Sequence, residues 1–110
     1  MSDRAPKRDY KAEFLFHLRA AKLPAPVTEF VFHPERKWRF DFCYVEQKIA
    51  IEYQGGIYFK GMGHQTTHGI ERDCEKFTEA SLMGYRLILI TAKTVRDGTA
   101  LQWIERALAL

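Results

Sequence analysis

No apolar run in this chain approaches the roughly 20 residues needed to span a bilayer, so a membrane-spanning protein is not expected. The N-terminus from Met1 to Lys11 is polar and charged and lacks the apolar stretch of a secretory signal. Cysteine is scarce: Cys43 and Cys74 are the two, they stand far apart, and they form no CxxC pair. That spacing argues against a zinc site, and a reduced, cytoplasmic setting is the expectation. There is no internal repeat and no linker long enough to divide the 110 residues, so one domain is expected. Neither sign of charge dominates. Lys and Arg number 17 against 14 Asp and Glu, for a net charge of +3, and the pI is near 9.0. Such a balance suits a polyanion-binding enzyme without requiring one. What is present is ordinary globular composition, 46% hydrophobic and 28% charged. A domain of this size buries only about two-thirds of its unfolded surface, so a charge placed in its core needs a physical reason.

Residues 1–8 read as a short basic flexible tail, and 9–110 as a single domain. From Asp9 to Ala21, Tyr10, Phe14, Leu18 and Ala21 recur at helical spacing and predict an amphipathic helix that ends before Pro24-Ala25-Pro26. Strands are predicted at Thr28 to Phe32, Trp38 to Tyr44 and Lys48 to Tyr53, the last two joined by a short turn near Glu46-Gln47. Residues 55–69 hold Gly55, Gly56, Gly61, Gly63 and Gly69, and a loop this long in a small domain is often functional. A helix from Gly69 to Met83 follows, with Gly84 placed as its C-terminal cap. Tyr85 to Thr91 reads as a buried strand, and Thr99 to Leu108 as a closing helix with Leu101, Ile104 and Leu108 on one side.

The decisive feature lies on the second and third strands. Asp41 sits between Phe40 and Phe42, and Glu52 follows the apolar run Ile49-Ala50-Ile51. Alternation along a strand puts Asp41 on one face with Arg39 and Cys43, and Glu52 on one face with Ala50 and Gln54. A hairpin centred between Glu46 and Gln47 sets Asp41 directly across from Glu52. Opposed residues have Cβ atoms roughly 5 Å apart, where like charges repel, and partial burial makes that worse. A positive group must lie between them. Arg39 or a nearby lysine could supply it, or one carboxyl could stay protonated. The favoured alternative is a hard divalent cation, which Mg²⁺ exemplifies with a few carboxylate oxygens and several waters. Ala50 and Gly55, being small, would leave it room.

These residues resemble the D…(D/E)-x-K signature of PD-(D/E)XK nucleases: Asp41, then Glu52-Tyr53-Gln54 after a short turn. Ile51 to Gly56, Asp73-Cys74-Glu75-Lys76-Phe77 and Gly84 to Leu89 are similar to small phage- and prophage-type nucleases related to the VRR-NUC and very-short-patch-repair endonuclease groups. The resemblance runs from Glu13 to Thr91. It implies a restriction-endonuclease-like α/β fold, an αβββαβ core with a mixed sheet flanked by helices, which is the element order read above. It further implies a Mg²⁺- or Mn²⁺-dependent endonuclease that hydrolyses DNA, with Asp41 and Glu52 holding the metal and Glu13, from the first helix, assisting. Gln54 stands where the family most often has lysine. A glutamine amide can orient a water or touch a phosphate oxygen but is neither base nor cation, and Lys76 on the following helix is the candidate for a displaced lysine.

His64 and His68 fall in the glycine-rich segment, and His64 is the candidate there for phosphate contact or proton transfer. Lys7, Arg8, Arg36, Lys37, Arg39, Lys60 and Arg72 are candidates for salt-sensitive DNA phosphate contacts. Tyr58, Phe59 and Met62 could stack on bases or pin the loop to the core. Cutting two strands with so small a domain makes a homodimer an expectation. The missing lysine keeps another reading open, a degenerate nuclease fold that only binds nucleic acid, or a subunit active within a larger complex.

Overall fold

The first helix begins where an aspartate can cap it. Asp9 accepts the Ala12 amide at 3.0 Å, and α1 runs Tyr10–Ala20. The computed structural model of the chain describes residues 7–55 and 67–110. At its other end α1 closes before the prolines are reached. Lys22 takes φ 63°, its amide bonds Arg19 O and the Leu23 amide bonds Leu18 O. This pairing is a Schellman closure with a lysine in the left-handed position usually given to glycine. Three strands follow: β1 Val27–Val31, β2 Arg39–Tyr44 and β3 Ile49–Tyr53. Helix α2 spans Thr67–Leu82 and β4 Arg86–Ile90, and the chain ends with α3 Ala92–Arg96 and α4 Thr99–Ala109.

The αβββαβ order is therefore the one observed. The sheet is mixed, in the order β1-β2-β3-β4, with β1–β2–β3 antiparallel and β3–β4 parallel. Parallel pairing needs a crossover, and α2 provides it. The β2–β3 register pairs Phe42 with Ile51, Cys43 with Ala50 and Tyr44 with Ile49, centred between Glu46 and Gln47. The turn accommodates this with Lys48 at φ 56°.

Two apolar layers cover the sheet. On one face Phe14 and Leu18 of α1 meet Phe42, Tyr44, Ile49, Ile51 and Ile90, joined by Val95, Ile104 and Ala107 of the last helices. On the other, Phe32, Phe40, Cys43 and Ala50 pack with Ala80 of α2. Gly84 ends α2 as expected. It adopts φ 91°, its amide bonds Ser81 O, and the Tyr85 amide bonds Ala80 O.

Several expectations are corrected. Helix α2 starts at Thr67, so His68 lies in its first turn rather than in the loop. Helix α3 has no counterpart among the expected elements, because its capping pair uses Thr91 and Thr94 where a glutamate or glutamine would signal a helix start. The pleat also breaks at one place on β2. Phe40 and Cys43 belong to the same layer, whereas strict alternation would separate them. Across from this point on β1, Glu29 takes φ 51°. The break falls at Asp41.

Candidate functional site

Asp41 is half-buried, and Glu52 is the one charged side chain in the core among the described residues. The paired ladder between β2 and β3 stops at Phe42 and Ile51, just before these two. Beyond it the carboxylates take up the strand amides. The Asp41 amide donates to Glu52 Oε2 at 2.8 Å, and the Tyr53 amide donates to Asp41 Oδ2 at 2.7 Å. Each acid thus grips the strand opposite, which fixes both carboxylates against backbone that cannot move independently of the sheet.

The remaining oxygens meet lysines from the helices. Lys11 Nζ of α1 lies 3.1 Å from Asp41 Oδ1, and Lys76 Nζ of α2 lies 2.9 Å from Glu52 Oε1. Asp41 therefore turns toward α1, not onto the Cys43 face that alternation assigned it; the broken pleat is the reason. Glu52 points to α2, on the Ala50 face as expected. The set is two acids and two ammoniums, neutral as a whole. Burial pushes the Glu52 carboxyl above its ordinary value, and the bond and charge of Lys76 pull it partly back. Burial disfavours the Lys11 ammonium, but its hydrogen bond to Asp41 and the nearby acids outweigh that and hold it above the ordinary lysine value.

Lys76 is thus placed at Glu52. Gln54 follows Glu52 by two residues, just past the end of β3, its backbone N–H bonded to Ile90 O at 2.7 Å. Glu13 is not brought to the pair. Its carboxylate takes Arg8 at 2.9 and 3.1 Å, with His17 at 3.8 Å, and the Arg8 bond holds its pKa below the ordinary range. Consistent with this, no group of three or more His, Cys, Asp or Glu is arranged to hold a metal among the described residues. His64 and Lys60, with Tyr58, Phe59 and Met62, lie outside the described residues.

The basic candidates divide by location. Lys7 and Arg8, with Asp9, Tyr10, Lys11 and Tyr53, line a cleft of about 360 Å³ beside Asp41. Tyr10 and Tyr53 stack there with ring centroids 6.3 Å apart. Arg36 is turned elsewhere, bonded to Glu75 at 3.1 Å and lying over Trp38 at 4.2 Å. Arg39 is exposed, 3.7 Å from Glu29, and Lys37 and Arg72 are exposed. Cys43 is buried and Cys74 exposed, both as free thiols.

Lys11 is the site residue that sequence reasoning missed. The signal was present: Lys11 precedes Phe14 and Leu18 at helical spacing, so it stands in the stripe that faces the sheet. A lysine there needs an anion to meet, and Asp41 is that anion.

No protein-family model matches this sequence, and no curated protein matches it either. Among solved structures the chain is similar to the catalytic domain of the homing endonuclease I-Bth0305I, with a TM-score of 0.67 at 21% identity. The likeness covers 94% of this chain and 96% of that one, and it shows a shared fold. Among the described residues no helix is long and apolar enough to cross a membrane.

Proposed function

We propose that this protein is a divalent-metal-dependent endonuclease that hydrolyses phosphodiester bonds in DNA, with Asp41 and Glu52 as the metal-holding residues. The observation that carries the proposal is the carboxylate pair itself. Two acids at the end of a β-ladder are held rigid by backbone amides, and each offers a second oxygen to a cation, within a fold shared with a homing endonuclease catalytic domain.

The donor set fits Mg²⁺ or Mn²⁺. Both are hard ions that take carboxylate oxygen, and Mg²⁺ is held by one or two carboxylates plus substrate phosphate and water. When bound, such an ion supplies Lewis-acid polarisation of the phosphate and acidifies a coordinated water. The chain's own residues supply the rest. The amides of Asp41 and Tyr53 keep the two carboxylates oriented without reorganisation at the moment of reaction. Lys76 offers a cation to the charge that builds on the phosphate, as the family lysine would. Gln54 orients the attacking water through its amide but takes no proton from it. Exposed Lys7 and Arg8 beside the Asp41 cleft, with Lys37, Arg39 and Arg72, give sequence-independent phosphate contacts. Double-strand cutting by a homodimer, and a preference for flaps, nicks or junctions in repair or recombination, belong to the same proposal.

The test is cleavage of single-stranded, duplex, flap and four-way-junction DNA with Mg²⁺ or Mn²⁺. Asp41→Asn and Glu52→Gln should each lower the rate at least about a hundredfold while circular dichroism shows a folded protein. Undiminished cleavage in those variants sinks the assignment. A second reading is favoured by one observation, that lysines already neutralise both acids. Under it the protein binds nucleic acid without cutting, and the same panel would show binding with no product in either metal.

A further inference from the structure

The two carboxylates divide their oxygens in the same way. Asp41 gives Oδ2 to a backbone amide and Oδ1 to Lys11, and Glu52 gives Oε2 to a backbone amide and Oε1 to Lys76. The two kinds of partner differ in what it takes to remove them. An amide on β2 or β3 cannot withdraw without parting the strands. An ammonium on a four-carbon stem leaves by rotamer changes alone. The lysines also approach from opposite faces, Lys11 from α1 and Lys76 from α2, so both can retreat without crossing each other. Lys11 is well placed to do so, since its side chain is 44% exposed. Oδ1 and Oε1 are thus the oxygens at which one cation can replace another.

We propose that Lys11 and Lys76 are place-holding counter-ions: a divalent cation and the two ammoniums are alternative occupants of Asp41 Oδ1 and Glu52 Oε1, and the displaced lysines become positioning groups for the DNA phosphate. The proposal rests on the reading of Asp41 and Glu52 as metal ligands. It makes Lys11 part of the site, although that lysine has no place in the D…(D/E)-x-K pattern. It also explains why two acids can stand side by side in apolar strands before any ion arrives. The ammoniums compensate the charge of the two acids, and the backbone amides keep the geometry ready.

A competitor inside the site lowers the apparent affinity for the ion by the fraction of time it is absent. Removing the competitor should therefore tighten metal binding, whereas removing a phosphate-binding lysine should loosen DNA binding. The two effects have opposite signs, and an ordinary structural lysine gives neither combination.

The experiment is calorimetric titration of the full chain with Mn²⁺ at fixed ionic strength, together with fluorescence anisotropy on a DNA duplex. Lys11→Met keeps the length of the stem and removes the charge; on the proposal it binds Mn²⁺ about tenfold more tightly and DNA more weakly. Lys76→Met should do the same, and Lys11→Arg, which keeps the charge, should stay near wild type in Mn²⁺ affinity. Thermal melts confirm that each variant is folded, and Lys11→Met alone decides the matter if Lys76→Met is not. Asp41→Asn should abolish Mn²⁺ binding. If Asp41→Asn abolishes binding but Lys11→Met binds Mn²⁺ no more tightly than wild type, the place-holder idea is overturned and the metal-ligand reading stands. If no form binds Mn²⁺, both are overturned.

Discussion

Lysine 76 should be coupled to Glu52 in the stability of the protein, and the coupling should depend on pH. The Nζ to Oε1 distance is 2.9 Å, and the side chains are 17% and 11% exposed. Breaking a buried pair by removing one partner costs about 3–5 kcal/mol, because a charge is left without compensation. Here the carboxylate keeps its bond from the Asp41 amide, and it can escape the penalty by taking up a proton. Lys76→Met should therefore cost about 2–3 kcal/mol near pH 7.5, below the full range for a buried pair. Glu52→Gln preserves shape and still accepts from Asp41, and its stranded lysine can extend to solvent, so about 1 kcal/mol is expected. The double variant has no charge to strand, so it should be less destabilised than the sum of the singles by about 2 kcal/mol.

The pH dependence follows from the direction of the Glu52 shift. Its pKa is raised from 4.5 by burial and partly restored by Lys76, so losing Lys76 raises it further. An acid with a raised folded pKa stabilises the fold while protonated and loses that contribution as pH climbs through the folded value. The deficit of Lys76→Met relative to wild type should thus be smallest near pH 4.5 and grow as the pH rises from there. Urea denaturation of the four proteins at about pH 4.5 and 7.5, in chelator, measures both quantities. Additive single effects to within about 0.5 kcal/mol, with a deficit flat in pH, would refute the reasoning.

Other predictions concern the frame that carries the site. Phe14 has no exposed surface and packs against Phe42 at 5.2 Å between centroids. Phe14→Ala should cost about 3–5 kcal/mol in urea unfolding, and a loss under 1 kcal/mol would mean the α1 layer is not packed as described. Gly84 and Lys22 both close helices with left-handed backbone, so exchanging their side-chain character should have opposite signs. Gly84→Ala should destabilise by about 1 kcal/mol, a conformational cost because among the described residues a Cβ there meets only Lys48 Cδ at 3.8 Å. Lys22→Gly should stabilise by about 0.5–1 kcal/mol for the same reason. Shifts of the same sign in thermal melts would contradict this account.

Much of this molecule is legible in the chain alone. Helical spacing of Tyr10, Phe14 and Leu18, alternation along the hairpin strands and Gly84 after an amphipathic run are local signals, and local signals set the element order. The Glu46-Gln47 turn also set the β2–β3 register, because a short hairpin loop leaves few alternatives. That register also brings Asp41 next to Glu52 at the end of the ladder. What the sequence could not carry is which cations meet these acids. Lys11 and Lys76 lie 30 and 24 residues away from their partners along the chain, and only the packing of α1 and α2 on opposite faces of the sheet brings them in. The turn of Asp41 toward α1 was equally hidden. It depends on a break in the pleat at Asp41, opposite Glu29 in left-handed conformation, and no periodicity announces such a break. Periodic patterns determined the strands, and the short turn the β2–β3 pairing, because each residue's preference acts over a few neighbours. The tertiary structure alone decided the counter-ions, because long flexible side chains choose partners by where the folded backbone leaves them.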